Sequence, residues 1–255
     1  MKYKASLHAH IDKDIIDNFI KHSAYDLIDE ARKNGIRILA LTGHKKFHHN
    51  KDYASYAKTR GVLLIPGIEL SLKTPFKKNH CLVLNCKKDI EGIKTFEELR
   101  EYKKIHPEIY VMAPHPAYGF SFSMGIRKLI EFIDLFDGIE HSWFYTRFYN
   151  PNKKALSAAK NKGKPVVATA DIHSLDYIAT DYCVIRADRL STDSVIRALK
   201  AGKLENVTRP KHLYEIASYG VAMIAKKYAI KAKDYIFDNP IRAHEFDSEG
   251  MLLQK

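Results

Sequence analysis

Short apolar runs alternate with amphipathic stretches along the chain. The runs at residues 36–42, 62–65 and 166–170 are nearly continuous in apolar side chains, which is typical of strands buried on both faces of a parallel sheet. Between such runs, apolar residues recur at helical spacing, as at residues 24–31, where Ser23 is a predicted N-cap and Asn34-Gly35 a predicted helix end. About seven strand and helix units of this kind predict a parallel α/β barrel rather than an open sheet.

The individual elements follow from the same pattern. A first strand ends at residues 6–10, and further strands are expected at residues 36–42, 62–65, 81–84, 109–113, 136–140, 166–170 and 183–186. Helices are expected at residues 24–31, 52–60, 95–104, 124–132, 151–161 and 192–200. The expected architecture is therefore a distorted (β/α)7 TIM-like barrel whose functional residues lie at the carboxyl ends of the strands.

The barrel is expected to occupy residues 1–208, with a domain boundary at Arg209-Pro210. Residues 209–255 contain apolar positions at helical spacing, which predict a C-terminal helical extension packed on the outside of the barrel. The lysines of this extension would also suit a basic amphipathic helix at a membrane surface, but a solvated polar face explains them more simply. No membrane span is expected, because no apolar run approaches about 20 residues.

Composition narrows the class of protein. The chain has 255 residues, of which 45% are hydrophobic and 28% charged, a balance that supports one large buried core. Strand-like sequence begins almost at the first residue, so no signal peptide is expected. The three cysteines, Cys81, Cys86 and Cys183, are too few for a disulfide framework and lack a zinc-binding spacing. Together these features predict a cytoplasmic protein.

The net charge of +12 favours anionic partners such as phosphorylated small molecules, nucleotides or nucleic acid. Lysines dominate the basic residues, are scattered along the chain, and form no basic block interleaved with aromatic residues. A phosphorylated small molecule or nucleotide is therefore the favoured partner, and nucleic acid is the second candidate.

The first candidate for chemistry is the pair His8 and His10, at the end of the first strand. Residues i and i+2 of a strand point to the same face, so the two imidazoles converge. Imidazole is the commonest protein metal ligand, and two that converge form half of a metal site. By itself the pair is equally consistent with chance, since the chain contains 13 histidines.

Ligand-type side chains recur where the other predicted strands end, and His80 stands at the start of one. In α/β barrels, reactive residues lie at the carboxyl ends of the strands, and burying so many polar groups unpaired would be costly. Six imidazoles and two carboxylates exceed the four or so donors that one zinc ion accepts, and a carboxylate can bridge two ions. The pattern predicts a multinuclear metal site formed by His8, His10, His44, Glu69, His80, His115, Asp171 and His173.

These residues stand in motifs whose order resembles that of the PHP (polymerase and histidinol phosphatase) superfamily of metal-dependent phosphoesterases. The resemblance implies a distorted seven-stranded barrel with two or three divalent ions, which could be zinc, manganese or iron. It further implies one ion on His8, His10, Glu69 and Asp171, a second on Glu69, His80 and His115, and a third on His44 and His173. The matching motifs are Leu7-His8-Ala9-His10, Leu41-Thr42-Gly43-His44, Pro66-Gly67-Ile68-Glu69, His80 with Leu82 and Leu84, Ala113-Pro114-His115-Pro116 and Ala170-Asp171-Ile172-His173.

Two departures from the family pattern affect the third ion. Gly43 stands where members commonly have an aspartate, and the missing carboxylate is expected to loosen the orientation of His44. The loop after His10 lacks the usual Ser-Asp-Gly and instead carries three aspartates. We predict that Asp14 is the remaining ligand, with Asp17 and Asp12 as the alternatives. Solvated or turn-capping aspartates are the competing interpretation.

The resemblance implies hydrolysis of a phosphate ester, in which a metal-bound hydroxide attacks phosphorus. Asp171, Glu69 and His173 are the predicted catalytic residues, with Asp171 or a histidine moving the proton. Arg147, His141 and Lys45 are the predicted substrate-binding residues, because guanidinium and ammonium groups suit phosphate. Lys46 and Trp143 are further candidates for the pocket. A surface arginine would explain Arg147 equally well, solvated lysines are the simpler explanation of Lys45 and Lys46, and a core position would also explain Trp143.

Two other functions stay open. The net charge permits a nuclease that acts on a nucleic-acid end, and a catalytically silent module is a further alternative that the nearly complete ligand set disfavours. Metal-dependent amidohydrolases also begin with His-x-His on a barrel strand, but the position of Glu69 and the closing Asp171-Ile172-His173 fit them poorly. The sequence assigns neither the substrate nor an oligomeric state.

Overall fold

The computed structural model describes residues 1–74, 78–119 and 123–218 of the chain. The chain divides into two compact units, Met1–His212 and Leu213–Lys255. The second unit is helical over residues 213–218, and the rest of the predicted C-terminal extension, with its predicted packing, lies outside the described residues. Within the described part of the chain, no helix has the length and apolar character needed to cross a membrane.

The first unit alternates strands and helices as the apolar pattern predicts. Its six α-helices and seven of its first eight strands lie near the predicted positions, and the last strand was not predicted. The third strand, predicted at residues 62–65, continues to Lys73, so Glu69, expected after its end, lies within it. In chain order the elements are β1 (Lys2–Ser6), α1 (Ala24–Lys33), β2 (Ile36–Leu41), α2 (Lys51–Thr59), β3 (Leu63–Lys73), β4 (Lys78–Leu84), α3 (Phe96–Ile105), β5 (Tyr110–Ala113), α4 (Gly125–Glu131), β6 (Gly138–Ser142), α5 (Asn152–Asn161), β7 (Val166–Thr169), β8 (Tyr182–Arg186), α6 (Thr192–Lys200) and β9 (Leu204–Val207).

The strands form one sheet in the order β7-β6-β5-β4-β3-β2-β1-β8-β9. The sheet nearly closes into a barrel, because the segment after β1 meets the segment after β7. The backbone N–H of His10 donates to the carbonyl of Ile172 (3.0 Å), and the N–H of Ile172 donates to the carbonyl of His8 (3.0 Å). This closure places His8, His10 and Asp171 beside one another at one end of the barrel.

The expected all-parallel strand order is wrong at β4, which runs antiparallel to both β3 and β5. Only residues 74–77 connect β3 to β4, and a parallel crossover needs a dozen residues or more. The reversal has a consequence for the site. The start of β4, where His80 lies, meets the carboxyl ends of the parallel strands, so His80 joins the other predicted ligands. Strands β8 and β9 are also antiparallel to their neighbours.

An apolar layer fills the barrel beneath these strand ends. Ile38, Ile65, Leu82 and Met112 are fully buried there, each from a different strand. The helices cover the outer face of the sheet, with Leu27, Ile28 and Ala31 of α1 and Phe96 and Leu99 of α3 buried against it. Since the lower interior is filled, polar side chains have space only at the carboxyl end, which we call the mouth.

Candidate metal centre

Glu69 lies at the centre of the mouth, inside the long strand β3, and is 1% exposed. Three histidines from two other segments of the barrel surround one of its carboxylate oxygens, Oε2. The Nε2 atoms of His44, His8 and His10 lie 3.1, 3.2 and 3.4 Å from this oxygen. All three side chains are buried, so one carboxylate oxygen serves three imidazoles outside bulk water.

The second oxygen of Glu69, Oε1, faces a different pair of histidines. Nδ1 of His80 lies 2.7 Å from it and Nε2 of His115 lies 3.4 Å from it. Glu69 therefore separates two groups of imidazoles, one for each oxygen. A carboxylate placed in this way can bridge two ions.

Asp171 and His173 bring β7 into the cluster. Oδ1 of Asp171 lies 3.1 Å from Nε2 of His8 and 3.2 Å from Nε2 of His10. His173 lies further out, with its Nδ1 3.5 Å from the same oxygen. The structure thus assembles all eight residues that the strand-end pattern and the family motifs predict.

Backbone strain concentrates at this site. Among the described residues, only four that are not glycine have a positive φ, and three of them are Lys45 (56°), His115 (28°) and Asp171 (47°). Such conformations cost of order 1–3 kcal/mol each and persist where the surrounding structure enforces them. The strain here accompanies two of the converging ligand-type side chains.

Buried carboxylates fix the orientation of three histidine rings from behind. Nδ1 of His8 donates to Oε1 of Glu140 (2.8 Å), and the Nδ1 atoms of His10 and His44 donate to Asp14 (2.9 and 3.0 Å). A ring that donates from Nδ1 to a carboxylate can bind a metal through Nε2 once that nitrogen has lost its proton, which is the usual arrangement around a metal-binding histidine. In all three residues this Nε2 points to Glu69.

The loop aspartates take different positions. Asp14 is buried, and its carboxylate also accepts the backbone N–H groups of Ile16 (2.9 Å), Asp17 (3.0 Å) and His44 (2.9 Å). Asp17 instead lies beside His173, with 3.0 Å between its Oδ2 and Nε2 of the ring. Asp12 is exposed. Asp14, the predicted ligand, thus contacts ring nitrogens that face away from Glu69.

Glu140 is the functional residue that the sequence interpretation missed. It is fully buried, accepts from His8 through Oε1, and accepts the backbone N–H of His115 through Oε2 (2.5 Å). The hydroxyl of Thr169 also donates to its Oε1. The sequence did contain a signal for Glu140, because an acidic residue within a buried strand requires hydrogen-bond or charge partners.

Gly43 has a specific neighbour. A Cβ added at this position would lie 2.3 Å from Cδ2 and 2.7 Å from Nε2 of His48, so the His48 ring occupies the space of the missing side chain. The predicted loosening of His44 does not follow, because Asp14 supplies a carboxylate to the ring and to the backbone of His44.

The protonation equilibria reflect the dense packing of opposite charges. Burial alone would raise the pKa of Glu69 and of Asp171, but the neighbouring histidines outweigh it and lower both values well below the ordinary range. Burial alone would lower the pKa of His44 and His173, but the surrounding carboxylates outweigh it and raise these pKa values to about 10 and about 9. The carboxylates are therefore ionised at neutral pH, and the two histidines carry protons in the absence of a metal.

The residues fit divalent ions. Nε2 of His10, Oε1 of Glu69 and Oδ1 of Asp171 are buried and make no hydrogen bond within the described part of the chain, although they lie among other ligand-type atoms. Ligand atoms come within 4.8 Å of one another in four groups of three, namely His8-His10-Glu69, His10-Asp14-His44, His10-Asp171-His173 and His44-Glu69-His80. Mixed imidazole and carboxylate donors suit zinc, manganese and iron.

The predicted substrate-binding residues lie outside this cluster. The backbone N–H of Lys45 donates to the carbonyl of Glu69 (2.9 Å), which places Lys45 at the edge of the mouth. His141 lies on the face of β6 opposite to Glu140 and packs against the ring of Tyr145 (5.0 Å between centroids). Arg147 is exposed in the loop after β6, and Trp143 is buried at the start of that loop.

Comparison with known proteins supports the class of fold. The model of the PHP-associated family matches residues 150–204. A two-domain protein from Bacteroides vulgatus, with a predicted PHP-like metal-dependent phosphoesterase, has a similar structure (TM-score 0.63, 18% identity, 82% of this chain and 65% of that one). No curated protein sequence matches the chain.

Two further solved structures share the fold. One is a lesion-specific endonuclease from Pyrococcus furiosus (TM-score 0.59, 12% identity, 86% of this chain and 66% of that one). The other is an amidohydrolase from Chromobacterium violaceum with bound sulfate and no metal (TM-score 0.54, 13% identity, 79% of this chain and 97% of that one). The chain thus spans less than two thirds of the length of the Bacteroides and Pyrococcus proteins. The family match covers residues 150–204, and the likeness to the solved structures shows a shared barrel fold.

Proposed function

We propose that the protein is a metal-dependent phosphoesterase that hydrolyses phosphate esters at the mouth of the barrel. The observation that carries this proposal is the position of Glu69, whose two oxygens face separate groups of histidines. Paired divalent ions held in this way activate a water molecule at neutral pH and neutralise the charge of a phosphoryl group.

The proposed ligand sets combine the family motifs with the contacts of this chain. His8, His10, Glu69 and Asp171 would hold one ion, and Glu69, His80 and His115 a second. For a third position we propose His44 and His173 with Asp17. Asp14 is the weaker choice, because its carboxylate already accepts three backbone N–H groups and contacts the Nδ1 atoms of His10 and His44. Its role would be to orient these rings.

The proton is best accepted by Asp171. Its side chain is 22% exposed, whereas the side chain of Glu69 is 1% exposed, so of these two carboxylates Asp171 is the one accessible to an incoming ester. The neighbouring histidines lower its pKa and keep the carboxylate ionised at neutral pH. His173, held between Asp171 and Asp17, is positioned to exchange protons with Asp171.

The experiment is phosphate release from a panel of phosphorylated metabolites and short oligonucleotides, with metal-free protein reloaded with zinc, manganese or iron in turn. We expect turnover with at least one metal, and loss of both metal content and turnover in Glu69→Gln and Asp171→Asn. Glu131→Gln, on the exposed face of α4, is the matched control. Full activity of Asp171→Asn, or no phosphate release with any metal, would contradict the proposal.

A nuclease is the second candidate, because the net charge of +12 suits a nucleic-acid substrate and the fold is shared with an endonuclease. The oligonucleotides in the panel address it directly. Release of nucleotides from an oligonucleotide, with little release from metabolites, would favour the nuclease over the small-molecule phosphatase.

A further inference from the structure

A basic stretch without acidic residues follows the buried Glu140. The thirty residues 141–170 contain no aspartate or glutamate and six basic residues, Arg147, Lys153, Lys154, Lys160, Lys162 and Lys164. The interpretation of the basic residues as scattered therefore does not hold for this stretch. A local excess of positive charge attracts anions.

The loop at the start of this stretch exposes aromatic rings beside a guanidinium. Arg147 is exposed, the side chain of Phe148 is 94% exposed, and that of Tyr149 is 63% exposed. Single exposed apolar residues are ordinary on a protein surface, but two adjacent rings next to an arginine form a surface on which planar groups can stack.

Hydrogen bonds order the backbone of the loop that carries these exposed rings. Oγ1 of Thr146 accepts the backbone N–H groups of Phe148 (3.2 Å) and Tyr149 (2.9 Å), and the N–H of Thr146 donates to the carbonyl of Tyr149 (2.9 Å). The backbone N–H of Lys211 donates to the carbonyl of Tyr145 (2.8 Å) and fixes the base of the loop. A surface ordered before binding loses little conformational entropy when a ligand stacks on it.

The position of the loop connects it to the metal centre. It follows the carboxyl end of β6, and β6 is parallel to β5 and β7, whose carboxyl ends carry His115 and Asp171. From the loop, α5 leads away down the outside of the barrel. Lys153 and Lys160 are exposed seven residues apart and therefore lie on the same face of α5.

The electrostatics of α5 favour a polyanion. Its first turn contains Lys153 and Lys154 and no acidic residue, although the positive end of the helix dipole disfavours cations there. Within the described ranges, no acidic side chain forms an ion pair with Arg147, Lys153, Lys154 or Lys160. The surface thus combines exposed rings in the loop after the carboxyl end of β6 with cations on α5 that form no ion pair with the described residues.

We propose that this loop and helix surface (Arg147, Phe148, Tyr149, Lys153 and Lys160) binds a single-stranded nucleic acid whose end enters the mouth. Phe148 and Tyr149 stack on bases, and Arg147, Lys153 and Lys160 contact successive phosphates. The inference gives a substrate class to the proposed phosphoesterase and rests on that function only for what happens to the bound end.

The test is binding of a fluorescently labelled oligothymidylate of about 15 nucleotides to the full chain, measured by anisotropy in the presence of EDTA. Without metal, binding is read separately from turnover. Phe148→Ala is expected to weaken binding by about tenfold, the loss typical of one stacked base. Lys153→Gln combined with Lys160→Gln is expected to flatten the dependence of log Kd on log salt by about 1.4, since each phosphate contact contributes about 0.7. Lys58→Gln, an exposed lysine of α2, is the matched control and should change neither value.

Equal effects of Lys58→Gln and the Lys153/Lys160 variant would overturn the proposal, as would unchanged affinity in Phe148→Ala or binding to anionic vesicles in place of the oligonucleotide. Oligonucleotide binding by a protein that releases no phosphate with any metal would support this surface and contradict the phosphoesterase. Turnover of phosphorylated metabolites without oligonucleotide binding would support the phosphoesterase and contradict this surface.

Discussion

At the residue scale, Gly43 shows how a departure from a family motif is compensated by a neighbour. The His48 ring fills the space that a side chain at position 43 would take, and it is 7% exposed. The orientation of His44 is taken over by Asp14 from a different loop. The glycine is therefore required by the packing of His48, since its backbone has no positive φ that would demand glycine.

We predict that Gly43→Ala destabilises the protein by about 1–3 kcal/mol, because the new Cβ would overlap the His48 ring. Urea denaturation measures the change in the free energy of unfolding. Gly92→Ala is the matched control, as nothing lies within 4 Å of a Cβ added there. His48→Ala in the Gly43→Ala background should recover part of the loss. Equal losses in Gly43→Ala and Gly92→Ala would show that the steric account is wrong.

At the scale of elements, Glu140 connects three parts of the barrel. From β6 it accepts from His8 after β1, from the backbone of His115 after β5 and from Thr169 of β7. These contacts hold the ring of one proposed ligand and the strained backbone of another. Glu140 is thus a positioning residue, which acts on the metal centre through the strands that it joins.

We predict that Glu140→Gln lowers the affinity for zinc about 10- to 100-fold, the usual cost of losing a partner of a metal-binding histidine. The amide cannot accept both from His8 and from the N–H of His115 as the carboxylate does. Competition with a chelating dye measures the zinc affinity without a turnover assay. Glu140→Asp should restore only part of the affinity that Glu140→Gln loses. Glu101→Gln on the exposed face of α3 serves as the control. Unchanged zinc affinity in Glu140→Gln would refute the positioning role.

At the scale of the whole molecule, the barrel gathers ionised carboxylates and protonated histidines into one buried cluster. His44 contacts Glu69 through one ring nitrogen and Asp14 through the other, and His173 contacts Asp17 and the backbone carbonyl of Asp171. Both rings therefore act as double donors, in agreement with their raised pKa values of about 10 and about 9. In the metal-free protein, the protons on these two histidines balance part of the negative charge that bound metal ions would otherwise balance.

We predict that zinc binding releases protons and strengthens as the pH rises from 6 to 8. A histidine with a raised pKa is protonated below that value, so zinc competes with the proton and lower pH weakens binding. Calorimetry at pH 7 in buffers of different ionisation enthalpy measures the number of protons released. His44→Gln should reduce that number, whereas His106→Gln, which lies outside the cluster, should leave it unchanged. An affinity that is independent of pH would contradict this account.

The order of elements and most of the cluster could be predicted because each depends on local pattern. Alternating apolar runs identified eight strands and six helices, and the motifs named Glu69 and the seven other residues that the structure brings together at the mouth. Strand β9 was missed because its exposed, short and polar sequence has no periodic signal. The sequence could not separate a ring-orienting role from a ligand role among Asp12, Asp14 and Asp17, since both use the same residue type.

The sequence by itself determined which residue types end the strands, and hence that imidazoles and carboxylates would meet at the mouth. Only the tertiary structure decided how they meet, because that depends on contacts between segments far apart in the chain. The reversal of β4 brings His80 to Glu69, the closure of β1 on β7 joins His8 to Asp171, and the burial of Glu140 fixes His8. Periodicity encodes the face on which a side chain lies, but the partner on that face is set by the packing of the sheet.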